Sequence, residues 1–272
     1  MPRVMMFDAS LCRQSGNLRR PPLAFLALWG VLAALLLGLV THADAKPRGG
    51  DRVLIYSGST GYRHASIEPA VAAITKLVTD QKLVPVHSED PAVFSADGLK
   101  GVAAIVLVST STDPKNPESE WFRGPRAEAL QAFVRSGGGI VAIHAAGDSH
   151  YHWPWYGHMI GGHFARHPQG TPTGTVTIED DKHPSTKGLP QSVSRTDEWY
   201  YFDDYDPRSR LLATLDPQSI GEKDVNANPM SWSHEFEGGR VFYTAMGHTN
   251  ESFTEPFLLK HLAGGIRWAV GR

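Results

Sequence analysis

Val102-Ala103-Ala104-Ile105-Val106-Leu107-Val108 is an unbroken apolar run without a single polar position. A strand with one wet face alternates polar and apolar residues. A run that never alternates belongs to a strand covered on both faces, as in parallel sheets sandwiched by helices. Arg52 to Tyr56 and Ile140 to Ile143 have the same character, and Leu83 to His87 reads as another strand. Between them lie two segments with helical spacing. In the first, Ser66 is a candidate cap, Pro69 falls in the first turn, and Ala70, Ile74, Leu77 and Val78 form the apolar stripe. The second, Arg126 to Arg135, turns Ala127, Leu130, Phe133 and Val134 inward and ends at Gly137-Gly138-Gly139. Strands alternating with helices predict an α/β fold with a mostly parallel sheet.

The later part of the chain is richer in strand candidates: Thr173 to Ile178, Leu211 to Leu215, Met230 to Phe236 and Arg240 to Thr244. Phe257 to Val270 closes as a helix, with Leu258, Leu262, Ile266 and Ala269 on one stripe. No internal repeat or flexible linker follows about Gly50, so one α/β domain is expected over residues 46–272.

Residues 1–45 read as an export leader. Arg13, Arg19 and Arg20 precede an 18-residue apolar run from Leu23 to Val40, and Ala43-Asp44-Ala45 supplies a small-x-small cleavage pattern. A periplasmic or secreted mature protein is expected, with an uncleaved membrane anchor as the alternative. The mature part carries 22 basic and 26 acidic residues, a net charge of −4. That balance gives no footprint for nucleic acid.

The chain has 13 histidines and one cysteine, Cys12, which lies inside the leader. A single thiol excludes an intramolecular disulfide and a thiolate zinc cluster. Any metal site must therefore draw on His, Asp or Glu. In parallel α/β sheets, ligands bind beyond the carboxyl ends of the strands. His64 follows the first strand, His144 ends the fourth and His248 follows the strand at Arg240 to Thr244. Three histidines distant in sequence are thus expected on one sheet edge.

The segments around them also carry a resemblance. Gly61-Tyr62-Arg63-His64, Gly138 to Ala146, Gly161-Gly162-His163-Phe164 with His167-Pro168, and His183-Pro184 with Gly188-Leu189-Pro190 come first. Asp197-Glu198-Trp199-Tyr200 follows, then Gly239 to Tyr243 with Gly247-His248. In this order, from about Val53 to Trp268, they resemble the ThuA-like (trehalose utilisation) family, which is similar in fold to class I glutamine amidotransferases. The resemblance implies a flavodoxin-like sheet with helices on both faces. It also implies that His144 stands at the elbow position where amidotransferases carry a nucleophilic cysteine, with His248 as counterpart of their partner histidine. An imidazole cannot perform thiolate acyl transfer, so glutamine hydrolysis is not expected.

Two chemistries suit a His-rich site of this kind. One is a divalent metal site, with zinc the expected ion, drawing on His64, His144, His163 and His248, with Glu198 as carboxylate. The other is metal-free acid–base work by His144, His248 and Glu198. His163 and His167 are four apart, but Gly161-Gly162 and Pro168 around them predict a loop rather than a zinc helix. No nucleotide cofactor is expected. Aromatic residues beside polar groups suit a sugar. Arg63, Asp148, Trp153 and Tyr200 are the candidate substrate contacts, although Trp153, Trp155 and Tyr156 also suit helix packing, and Arg63 and Asp148 each equally suit a surface ion pair.

The family resemblance implies a role in carbohydrate catabolism, on a disaccharide or a 3-keto-glycoside made by a partner oxidoreductase. A non-catalytic sugar-binding module and a metal-dependent hydrolase of another substrate class are the competing expectations. The oligomeric state is not legible in the sequence.

Overall fold

Strand β3 (Val102–Val108) is buried at every position, as its composition requires. It lies inside a nine-stranded sheet. The computed structural model describes residues 50–272, so the expected leader and Cys12 lie outside the described residues. Among the described residues no helix is long and apolar enough to cross a membrane.

The strands of the sheet are β1 (Arg52–Tyr56), β2 (Val84–Ser88), β3, β4 (Gly139–Ile143), β6 (Thr173–Ile178), β7 (Ser192–Thr196), β9 (Arg210–Asp216), β10 (Asn228–Phe236) and β11 (Gly239–Thr244). Their order is β2-β1-β3-β4-β11-β10-β9-β6-β7. The first five are parallel neighbours, and each remaining neighbour pair is antiparallel. Following the directions outward, β9 and β7 point the same way as β1, so only β10 and β6 run against the rest. A two-stranded sheet pairs β5 (His163–Arg166) with β8 (Tyr201–Asp203).

Among the described residues, four α-helices accompany the strands: α1 (Ile67–Asp80), α2 (Pro125–Arg135), α3 (Pro154–Ile160) and α4 (Pro256–Ala269). The pleat of β11 assigns two of them to faces. A Cβ on Gly265 of α4 would lie 2.6 Å from the Phe242 ring, whereas a Cβ on Gly239 would lie 2.9 Å from Val134 of α2. Positions 239 and 242 face opposite ways along a strand, so α2 and α4 cover opposite faces. Helix α1 packs against α4.

Most sequence-derived boundaries fall within two residues of the observed ones. Ser66 does occupy the N-cap of α1, but its side chain makes no capping bond. Its hydroxyl instead donates to the Gly247 carbonyl at 3.0 Å, fastening the helix start to the loop after β11. The 163–167 segment is not a loop throughout, because His163 to Arg166 forms β5 against β8. That short strand, together with β7, β8 and α3, escaped the sequence reading. The hairpin between β10 and β11 turns through Glu237 and Gly238, both with positive φ. Two such residues make the tight turn that matches strand twist.

Candidate functional site

The carboxyl ends of β1, β4 and β11 lie on one sheet edge because these strands are parallel. His64 reaches that edge from the loop after β1, His144 directly follows β4 and His248 follows β11. Strand β7 ends on the same edge, since it points the same way, and the loop between β7 and β8 brings Glu198 back across the sheet. One ligand atom from each of His64, His144, Glu198 and His248 lies within 4.8 Å of the others.

His144 is the most constrained member. It is fully buried and adopts φ of 50°, a left-handed conformation rare for a residue with a side chain. The Tyr243 hydroxyl donates to its carbonyl at 2.8 Å, and the Tyr200 ring stacks on its imidazole with centroids 4.3 Å apart. Its Nδ1 lies 2.7 Å from the Ala245 carbonyl. A carbonyl only accepts, so Nδ1 carries the proton and the neutral ring offers an Nε2 lone pair to the site.

That Nε2 lies 3.2 Å from His248 Nδ1 and 3.5 Å from Glu198 Oε2. The third side of the triangle, His248 Nδ1 to Glu198 Oε2, is 3.1 Å. Ligand atoms held tetrahedrally about 2.0–2.1 Å from zinc would be roughly 3.3–3.4 Å apart. The three edges bracket that spacing. Alternatively, one proton on His248 Nδ1 can bridge Glu198 and His144. Buried His64 completes the group, and its Nδ1 has no hydrogen-bond partner.

The electrostatics match a site that a cation or a shared proton can occupy. Burial, reinforced by neighbouring His144 and His248, pushes the His64 pKa down to about 3. Burial also raises the Glu198 pKa, but hydrogen bonding from the two imidazoles outweighs it and keeps the carboxyl ionised. The Glu198 hydrogen bond raises the pKa of His248.

Asp197 supports the centre from below. Fully buried, it accepts from the backbone N–H of Gly247 at 2.8 Å, of His248 at 2.9 Å and of Glu198 at 3.0 Å. Arg195 donates to it at 2.5 Å, and is itself held by Glu255 at 2.9 Å and the Ser252 hydroxyl at 3.0 Å.

A cleft of about 370 Å³ opens over the group. Tyr62, Asp148, Phe164, His167 and Tyr200 line it together with His64, Glu198 and His248. Asp148 accepts a hydrogen bond from the Tyr151 hydroxyl, and burial pushes its pKa up to about 6. His167 places Nδ1 3.3 Å from Glu198 Oε1 and 2.7 Å from the Pro168 carbonyl.

The sequence model of the trehalose utilisation family, ThuA, matches residues 52–269. The chain belongs to the ThuA family. Among solved structures, it is similar to a ThuA-like protein of Bacteroides uniformis at 23% identity, with a TM-score of 0.67 over 85% of this chain and 96% of that one. A ThuA-like protein of Parabacteroides merdae matches at 17% identity and the same TM-score, over 82% of this chain and 90% of that one. No curated protein matches the chain significantly.

Within this ThuA fold, not every sequence candidate joins the centre. His163 sits on β5 and stacks on Tyr151 with centroids 5.0 Å apart; it is absent from the four-residue group. The histidine spacing could not reveal this, because His163 lies on β5, in the separate two-stranded sheet with β8. Arg63 is an exposed surface residue paired with Glu68 at 2.7 Å and Glu89 at 2.9 Å, and it does not line the cleft. Trp153 also lies off the cleft, stacked on Trp155 at 4.9 Å against the core. Asp148 and Tyr200 do line the cleft. Tyr62, Phe164 and Asp197 were not singled out by the sequence, although Tyr62 and Asp197 stand next to or near recognised candidates. Their roles depend on loop paths that periodicity does not encode.

Proposed function

We propose that this ThuA-family chain is an exported enzyme of carbohydrate catabolism, acting on a 3-keto-glycoside or related disaccharide at a single divalent-metal centre. The carrying observation is the convergence of His64, His144, His248 and Glu198 within 4.8 Å. Three points make the donor set fit a metal. The His144 tautomer aims a lone pair inward, the three edges match tetrahedral zinc spacing, and a backbone carbonyl holds the other His144 nitrogen, fixing the ring as the outer hydrogen bonds of metal-ligating imidazoles do. His144, His248 and Glu198, the three residues whose spacing fits zinc, would leave a coordination position open for substrate, with His64 beside them. When bound, the ion would supply Lewis-acid polarisation of a substrate ketone oxygen.

The chain's own residues supply the remaining chemistry. Glu198 contributes Oε2 to the centre and keeps Oε1 beside His167. His167 Nδ1–H donates to the Pro168 carbonyl, so in the neutral ring Nε2 carries the lone pair and acts as the base toward an acidic C–H beside a ketone. Tyr200 and Phe164 offer apolar surface for a sugar face, and exposed Tyr62 extends that surface at the rim. A partner oxidoreductase would make the ketone.

The test is turnover of 3-keto-trehalose by purified protein before and after chelation. Cleavage that stops on chelation and returns with zinc is expected. No cleavage of 3-keto-trehalose or of 4-nitrophenyl 3-keto-glucoside by zinc-loaded protein would overturn the reading.

A further inference from the structure

The cleft holds two carboxyl groups in contrasting surroundings. Glu198 sits among imidazoles that stabilise its charge. Asp148 occupies the same cleft without a direct imidazole contact: among the described residues, no Lys, Arg or His forms an ion pair with it, and burial outweighs the more distant pull of His144 and His167. Its side-chain hydrogen-bond partner is the Tyr151 hydroxyl, which also reaches the Phe164 carbonyl at 3.1 Å. The backbone of Asp148 is fixed at both ends of the residue. Its N–H donates to the Ala145 carbonyl at 2.9 Å, and its own carbonyl accepts from Thr112 at 3.1 Å. The side chain therefore stands at a defined point of the cleft wall, one short turn after His144.

We infer that Asp148 is the acid that protonates the departing glycosidic oxygen, on the cleft wall supplied by the turn after His144. This deepens the proposed function and rests on it. Asp148 lines the same cleft as His167 but stands outside the group that would hold the metal, so acid and base fall on separate residues, and burial favours the protonated Asp148 carboxyl. The step balances as an elimination. His167 Nε2 takes the proton from the carbon between the ketone and the anomeric carbon. The released electron pair forms the new C=C bond as the bond from the anomeric carbon to oxygen breaks, and the departing oxygen takes the Asp148 proton. The products are an unsaturated keto sugar and a free alcohol. Proton exchange with solvent resets both residues.

The experiment compares two probes with opposite needs for an acid: 3-keto-trehalose, whose leaving alcohol is poor, and 4-nitrophenyl 3-keto-glucoside, whose phenolate leaves unaided. Asp148→Asn, isosteric and uncharged, is expected to shift the ratio of the two rates by about 100-fold or more against 3-keto-trehalose, in line with the usual worth of a general acid. Zinc content should stay at the wild-type level. Tyr151→Phe keeps the acid but removes its anchor, and should shift the ratio in the same direction by less. Equal losses on both probes in both variants, or loss of zinc in Asp148→Asn, would overturn the assignment. A wild-type protein that cleaves neither probe would instead overturn the underlying function. A wild type that cleaves both while Asp148→Asn leaves their ratio unchanged would overturn the acid role alone.

Discussion

Asp197 accepts the backbone N–H of His248 at 2.9 Å, so the residue beside Glu198 in sequence sets the path of the loop carrying its partner. The same carboxylate bonds Gly247 and Arg195, while the Ser66 hydroxyl reaches the Gly247 carbonyl. Loops from three parts of the chain thereby meet at one buried point.

Asp197→Ala should be costly on two counts. It leaves Arg195 with Glu255 as its remaining carboxylate and leaves buried N–H groups without an acceptor, a loss of about 3–5 kcal/mol when a buried ion pair is broken. Loss of such outer support also weakens metal affinity by about 10–100-fold. Thermal unfolding and zinc titration of the folded variant check the two effects. Asp197→Asn, which keeps the shape, should lose less stability than alanine.

Gly264→Ala tests the packing of α4. A Cβ there would lie 2.1 Å from the Pro184 carbonyl oxygen and 2.4 Å from Ser185 Cα. Backbone on both sides cannot yield cheaply, so the overpacking should cost at least about 1–3 kcal/mol. A lower midpoint in urea at unchanged slope is the expected outcome.

The sheet was legible because composition alone distinguishes a doubly covered strand, and β3 and β4 consist of such residues. The edge location of His64, His144 and His248 followed from parallel strand direction. What composition could not provide was the return of β7 to the same edge, which delivers Glu198 and Asp197, or the pairing of β5 with β8 that carries His163 into a separate sheet. Both depend on pairings between segments with few apolar residues. Ser66 shows the same limit locally: its type fits a cap, yet tertiary contact gives its hydroxyl to Gly247.

Acid should unfold the protein through buried neutral histidines. His150 accepts the Phe122 N–H on Nε2 at 3.2 Å, leaving no room for a second ring proton, and burial holds its pKa well below the ordinary value of about 6.5. Burial likewise lowers fully buried His261 to about 4 and buried His183 to about 3. These groups bind protons more readily when unfolded. Their contribution is therefore intact above about pH 6.5 and is lost as pH falls toward the folded values, through roughly pH 6.5 to 4. Melting temperature measured across that window should fall steadily with acidification. A flat profile would contradict the neutral, buried state of these rings.

His163→Ala should leave zinc stoichiometry unchanged, although it removes the stacking against Tyr151. His64→Ala, which takes a member from the four-residue group, should weaken zinc binding. Parallel zinc titrations of the two variants distinguish the histidine inside the group from the one outside it.

The most direct measurement is the metal content of the purified protein after incubation with zinc and removal of free ion, alongside His144→Ala. One zinc per chain in the wild type and essentially none in the variant is the predicted result. Wild-type protein without bound metal, or a variant that retains a full equivalent, would contradict a metal centre built on His144.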